Sequence, residues 1–148
     1  METYIEMKNR HQAEINALPL AFAFSKEQYR DKLAAWNITE DEAAAGAVIG
    51  INGGGFIRAT DKELVSSTFK RIQEEKRAAI EADTTGTGYI YQGLKYELIN
   101  HEYSYTEDAT EAIQAVGLTL EDMDTNAFRI AYKKATEEIR GADPYGDE

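Results

Sequence analysis

The chain has no cysteine, and only 2 prolines and 2 histidines in its 148 residues; each shortage removes a class of chemistry. Without thiols there is no disulfide, no thiolate zinc centre and no cysteine nucleophile. Histidine chemistry is confined to His11 and His101. No apolar run approaches membrane-spanning length, and the opening METYIEMKNRHQAEINALPL is charged throughout, unlike a secretory signal. A cytoplasmic protein with no membrane partner is expected. Neither glycine-rich nucleotide fingerprint occurs, nor G-x-S-x-G, nor H-E-x-x-H. LEDMDTNAF gathers acids but lacks the glycine and the final glutamate of a calcium loop. The expectation is therefore no metal, no cofactor and no assigned catalytic residue.

Bases are scarce too: 16 Lys and Arg face 27 Asp and Glu, for a net charge of -11. Residues 1–83 carry 14 acids and 11 bases, whereas residues 84–148 carry 13 acids and 5 bases. A surface of that sign repels nucleic acid and anionic lipid, which bind by having their phosphates neutralised. Direct nucleic-acid binding is not expected, and a protein partner with a basic surface is.

What is present reads as an ordinary globular composition, 43% hydrophobic and 29% charged. Apolar residues spaced by three and four predict a helix from Thr3 to Leu18, ended by Pro19. Ser25 with Gln28, Thr39 with Glu42 and Thr60 with Glu63 are capping-box pairs that open further helices. The third of these predicts a long helix from Asp61 to about Asp83. TTGTG, residues 84–88, reads as an internal joint, followed by a helix ending near His101 and a short strand at Tyr103 and Tyr105. Gly117 is a natural C-cap, and Thr119 caps a last helix from Leu120 to about Arg140.

Three apolar runs, Leu20 to Phe24, Ala47 to Ile51 and Phe56 to Ala59, read as strands. The second and third flank Asn52-Gly53, a hairpin signal, so Gly53, Gly54 and Gly55 are read as a turn. The fold class is thus α+β: one mostly helical domain over residues 1–141, a two- or three-stranded antiparallel sheet, and a flexible acidic tail at 142–148. The expected core includes Phe22, Phe24, Leu33, Trp36, Ile57, Val65, Ile72, Leu94, Leu98 and Phe128. Open edges on so small a sheet make a homodimer conceivable.

Two segments hold the candidate site. Arg58 and a helix start lie just after the glycine turn, and helix starts attract anions. ELINHEYSYTED packs Asn100, His101, Glu102 and Tyr103 behind Glu97, which is one helical turn before His101 and able to exchange a proton with it. The competing explanation of His101 is a helix-end histidine favoured by the dipole.

FAFSKEQ, GGGFIR with the following TDKE, and YELINHEYSYT together resemble a family of small uncharacterised proteins from phages and other mobile elements of gut-type bacteria. The resemblance spans about residues 8–120. It implies a mobile-element context and an α+β domain, and it brings no catalytic residue. Two functions follow from these observations. The first is a small acidic interaction protein that modulates a host or phage protein. The second is a small enzyme or ligand-binding protein with a pocket between the Gly53–Gly55 turn and the Asn100–Tyr105 segment, lined by Arg58, Asn100, His101, Glu102 and Tyr103. The absence of a catalytic constellation tilts the reading away from an enzyme.

Overall fold

The structure is a computed structural model that describes residues 1–142. It is a mostly helical α+β fold with a three-stranded antiparallel sheet, as the sequence predicts. The helices are α1 (Tyr4–Asn16), α2 (Lys26–Ala35), α3 (Glu40–Glu42), α4 (Lys62–Ala82), α5 (Tyr89–Asn100), α6 (Tyr103–Thr106), α7 (Thr110–Val116), α8 (Leu120–Met123) and α9 (Asn126–Ala142). The strands are β1 (Ala21–Phe22), β2 (Val48–Gly50) and β3 (Gly55–Arg58). Ala142 still closes α9, and the rest of the expected tail lies outside the described residues. Two compact units are distinguished, Met1–Arg10 with Gln73–Glu148, and His11–Ile72; the divisions fall inside α1 and α4. TTGTG is therefore not where the units divide.

The second unit, His11–Ile72, holds the sheet in the order β1-β3-β2. Phe56 of β3 sits opposite Ala21 and Gly50, and its ring meets Tyr29 and Trp36 edge-on at 5.1 and 5.6 Å. Ala21, Leu33, Phe56, Ile57 and Val65 are buried. Phe22 and Phe24 are not core residues: they are 52% and 89% exposed. β1 is only two residues long, and side chains alternate across a strand. Ala21 therefore takes the inward position, while the Phe22 ring lies across Gly55, where a Cβ would stand 2.7 Å from it. Phe24 falls beyond the strand, its N–H donating to the Gln28 side chain at the start of α2. The hairpin turn forms one residue later than Asn52-Gly53. Gly53 and Gly54 hold φ of 86° and 83°, and the Ile51 N–H donates to the Gly55 carbonyl at 2.9 Å. A loop of four residues, 51–54, thus replaces the two-residue type I′ turn.

The first unit is helical, with α5 packed against α9 and α7. Ile90, Leu94 and Leu98 of α5 meet Phe128, Ala131 and Ala135 of α9 and Ala112 and Val116 of α7 in one core. Alanines on α9 and α7 let the helix backbones approach closely. Residues 83–88 are held by one carboxylate: Asp83 accepts from the N–H groups of Gly86, Gly88 and Ile90 at 3.0, 3.2 and 2.9 Å. The last of these is an otherwise unsatisfied amide in the first turn of α5.

Three local expectations are corrected. Thr60 lies inside a 3₁₀ turn, Ala59–Asp61, and does not cap α4. Tyr103 and Tyr105 belong to the one-turn helix α6, because Glu102 turns the chain with φ 58° before a strand can start. The last helix is broken: α8 ends at Met123, and the Thr125 hydroxyl opens α9 by accepting from the Phe128 N–H at 3.1 Å.

Gly86 has φ 75°, and a Cβ there would lie 1.9 Å from the Ala127 carbonyl oxygen at the start of α9. Both the left-handed conformation and the missing space require glycine. Gly86→Ala is expected to cost more than about 2 kcal/mol in urea unfolding, whereas Gly50→Ala, with open space around its Cβ position, stays within about 1 kcal/mol.

Candidate functional site

The most unusual group in the first unit is Glu97, which is 1% exposed in the middle of α5. Burying a carboxylate costs several kcal/mol unless it is paired. Its partners come from the other end of the chain. Tyr4 donates its hydroxyl proton to Glu97 Oε2 at 2.6 Å, and Lys8 Nζ donates to the same oxygen at 2.7 Å. The two are four residues apart on α1, so one helical face presents both. The Tyr4 ring fits because Gly93 has no side chain: a Cβ there would be 2.9 Å from it. The Tyr4 N–H donates to Gln92 Oε1 at 2.9 Å, and the ring meets Tyr89 edge-on at 5.1 Å. Lys8 Nζ also lies 5.3 Å from the centre of the Tyr96 ring. Burial, then the bond to Glu97, pushes the Tyr4 hydroxyl far above its ordinary value. Burial, then the Glu97 charge, pushes Tyr89 up to about 12.

The other carboxylate oxygen, Oε1, makes no hydrogen bond among the described residues. His101 Nε2 stands 3.9 Å from it, and His101 Nδ1 stands 3.2 Å from Glu111 Oε2 on α7. Glu97 and His101 are thus neighbours one turn apart, but at 3.9 Å they share no hydrogen bond, and Tyr4 and Lys8 are the carboxylate's bonded partners. Neither carries a local sequence signal, because the contacts span 93 and 89 residues. No group of three or more metal-ligating side chains occurs among the described residues.

The remaining expected site residues divide between the units. In the second unit Arg58 donates to Asp61 at 2.7 Å and lies 5.3 Å from the centre of the Trp36 ring, while Gly53 and Gly54 form the exposed turn. Gly55 is buried beneath Phe22. In the first unit Asn100 is the exposed last residue of α5, His101 is half-buried and Glu102 is exposed. Tyr103 is buried, with its hydroxyl 3.5 Å from that of Tyr132, so it belongs to the core.

A cleft of about 350 Å³ in the same unit is lined by Arg77, Asp83, Asp122 and Thr125 among others. Its charges are already engaged. Arg77 grips Asp122 through both terminal nitrogens at 2.8 and 2.6 Å, and Asp83 holds the loop. The bond from Arg77 lowers the Asp122 carboxyl to about 2.

The outer surface differs. Residues 96–128 contain eight acids and not one Lys or Arg. Glu97 and Asp122 are used internally; Glu102, Glu107, Asp108, Glu111, Glu121 and Asp124 are all exposed. Of those six, only Glu111 stands within ion-pair distance of a basic side chain among the described residues, the His101 imidazole at 3.2 Å. Glu102 and Glu107 bracket α6 with φ of 58° and 55°, conformations that cost a non-glycine residue about 1–2 kcal/mol each. No helix among the described residues is long and apolar enough to cross a membrane.

Two outcomes are expected here. Lys8→Met strands a buried carboxylate and costs about 2 kcal/mol, less than a fully buried pair because Lys8 is 41% exposed; adding Glu97→Met recovers most of it in a double-mutant cycle. Asp122 contributes about 2 kcal/mol above its unfolded value of 3.8, lost as pH falls from there through about 2. Asp122→Asn therefore flattens the acid limb of a stability-against-pH profile and leaves its alkaline limb unchanged.

No curated protein and no solved structure matches the chain. A family model described as a family of unknown function (DUF7659) matches residues 3–138. A match over that much of the sequence makes the chain a member of that family of unknown function.

Proposed function

We propose that this is a small acidic interaction protein, cytoplasmic and of mobile-element origin, that binds and modulates a host or phage protein through a basic surface on that partner. The observation that carries the reading is the stretch 96–128, where exposed acids stand without a lysine or arginine anywhere in the segment. Stability alone does not favour such a surface, since like charges repel and the segment contains no lysine or arginine to offset them. Two of the acids also occupy left-handed positions that glycine would fill at lower cost. Tyr105, 75% exposed, and Ile99, 59% exposed, lie among them and supply apolar contact area. Complementary charge would speed encounter and select the partner, while the apolar side chains hold it. The resemblance carried by GGGFIR and YELINHEY supplies the mobile-element context.

The test is capture from host cytoplasm at low and at high salt with the purified protein as bait. A basic partner is expected, held at low salt, released at high salt and lost to the variant Glu102→Gly/Glu107→Gly. That variant is also expected to unfold at higher urea, by about 1 kcal/mol per site or more. Capture that ignores both salt and the substitutions would sink the reading.

A further inference from the structure

We infer that two copies of this chain associate about a two-fold axis through the β1 edge of the second unit, with Phe22 and Phe24 at the centre of the contact. The sheet order β1-β3-β2 leaves one side of β1 without a neighbouring strand. Free strand edges are ordinarily blunted by shortness, charge or proline; β1 is only two residues long, but Leu20 to Phe24 carries neither a charge nor a proline. Phe24 is 89% exposed and Phe22 52%, two aromatic side chains two residues apart at the end of this edge. Surfaces of this kind mark interfaces.

Charge selects a second copy as the occupant. The second unit carries eight acids and seven bases and is close to neutral; the first carries nineteen acids and nine bases. Two molecules of net charge -11 repel, and a contact made between near-neutral units adds least to that repulsion. Immediately after Phe24, Lys26 and Glu27 are adjacent, exposed and of opposite sign, with no ion pair to any described residue. An isologous contact requires a self-complementary patch. A two-fold axis near Phe24 brings Lys26 of each copy towards Glu27 of the other, while edge-to-edge pairing satisfies the open backbone groups.

Sedimentation equilibrium over a concentration series at two salt levels tests this. The expected mass is twice the 16.6 kDa of the chain. Self-association should tighten with salt, because screening relieves the net repulsion; this is the opposite of the salt effect proposed for partner capture, so the two readings fail separately. Phe24→Glu should raise the dimer dissociation constant by about a hundredfold, the loss of an aromatic anchor, with an unchanged circular dichroism spectrum. Phe24→Gln provides the same reading should the glutamate disturb the fold. Lys26→Glu should weaken the dimer, and Lys26→Glu/Glu27→Lys should restore it. A wild-type protein that stays at 16.6 kDa at every concentration, or a dimer indifferent to a folded Phe24 variant, overturns the inference.

Discussion

The first unit is organised around a carboxylate that has no business in a core unless something comes to meet it. Glu97 sits at 1% exposure on α5, the helix against which α6, α7 and α9 pack. What meets it is the hydroxyl of Tyr4 and the ammonium of Lys8, both within the first ten residues. A buried pair of this kind adds little net stability over apolar side chains of equal volume, yet losing one partner is expensive. Its consequence is therefore selection of arrangement. Only a helix face offering a hydroxyl and an ammonium one turn apart covers this site, and Gly93 keeps the space into which the Tyr4 ring fits.

The elements that were legible in the sequence are those whose signal is local. Ser25 and Thr39 cap their helices as their spacing predicts, with Thr39 and Glu42 bonded reciprocally, and Gly117 closes α7 in the left-handed conformation. Thr119 caps a helix too, but a shorter one than its periodic pattern suggests. Periodicity runs on past Met123, while Thr125 has its own hydroxyl aimed at the Phe128 amide and starts the helix afresh. The same limit explains Tyr103 and Tyr105. Their alternation is a strand signal, but the backbone of Glu102 has already turned left-handed, which composition does not reveal.

At the candidate site the sequence supplied one side of each contact. Glu97 and His101 are visible as a helical pair; Tyr4 and Lys8, on α1, look like any amphipathic face until the fold brings them to Glu97. Tyr103 shows the converse error. An aromatic beside charged residues suggests a binding position, but it is buried against the Tyr132 hydroxyl. Burial depends on which helix arrives opposite, and that is a property of topology. Arg58 is similar in kind: its neighbours in sequence include Asp61, and the pair satisfies itself within the turn.

The distribution of charge separates two kinds of acid. Asp83, Glu97 and Asp122 each accept two or more hydrogen bonds or ion pairs from groups fixed by the fold, and each determines where a segment lies. Glu102, Glu107, Glu121 and Asp124 make no side-chain contact of this kind among the described residues, and two of them occupy backbone positions where glutamate is a poor choice. If only solubility were at stake, the acids could stand anywhere on the surface and be interspersed with lysine. Their concentration in a segment of 33 residues without a base, with two placed against local backbone preference, is a pattern that the stability of the first unit leaves unexplained. Its cost falls on the folded state, about 1–2 kcal/mol at each of the two left-handed glutamates.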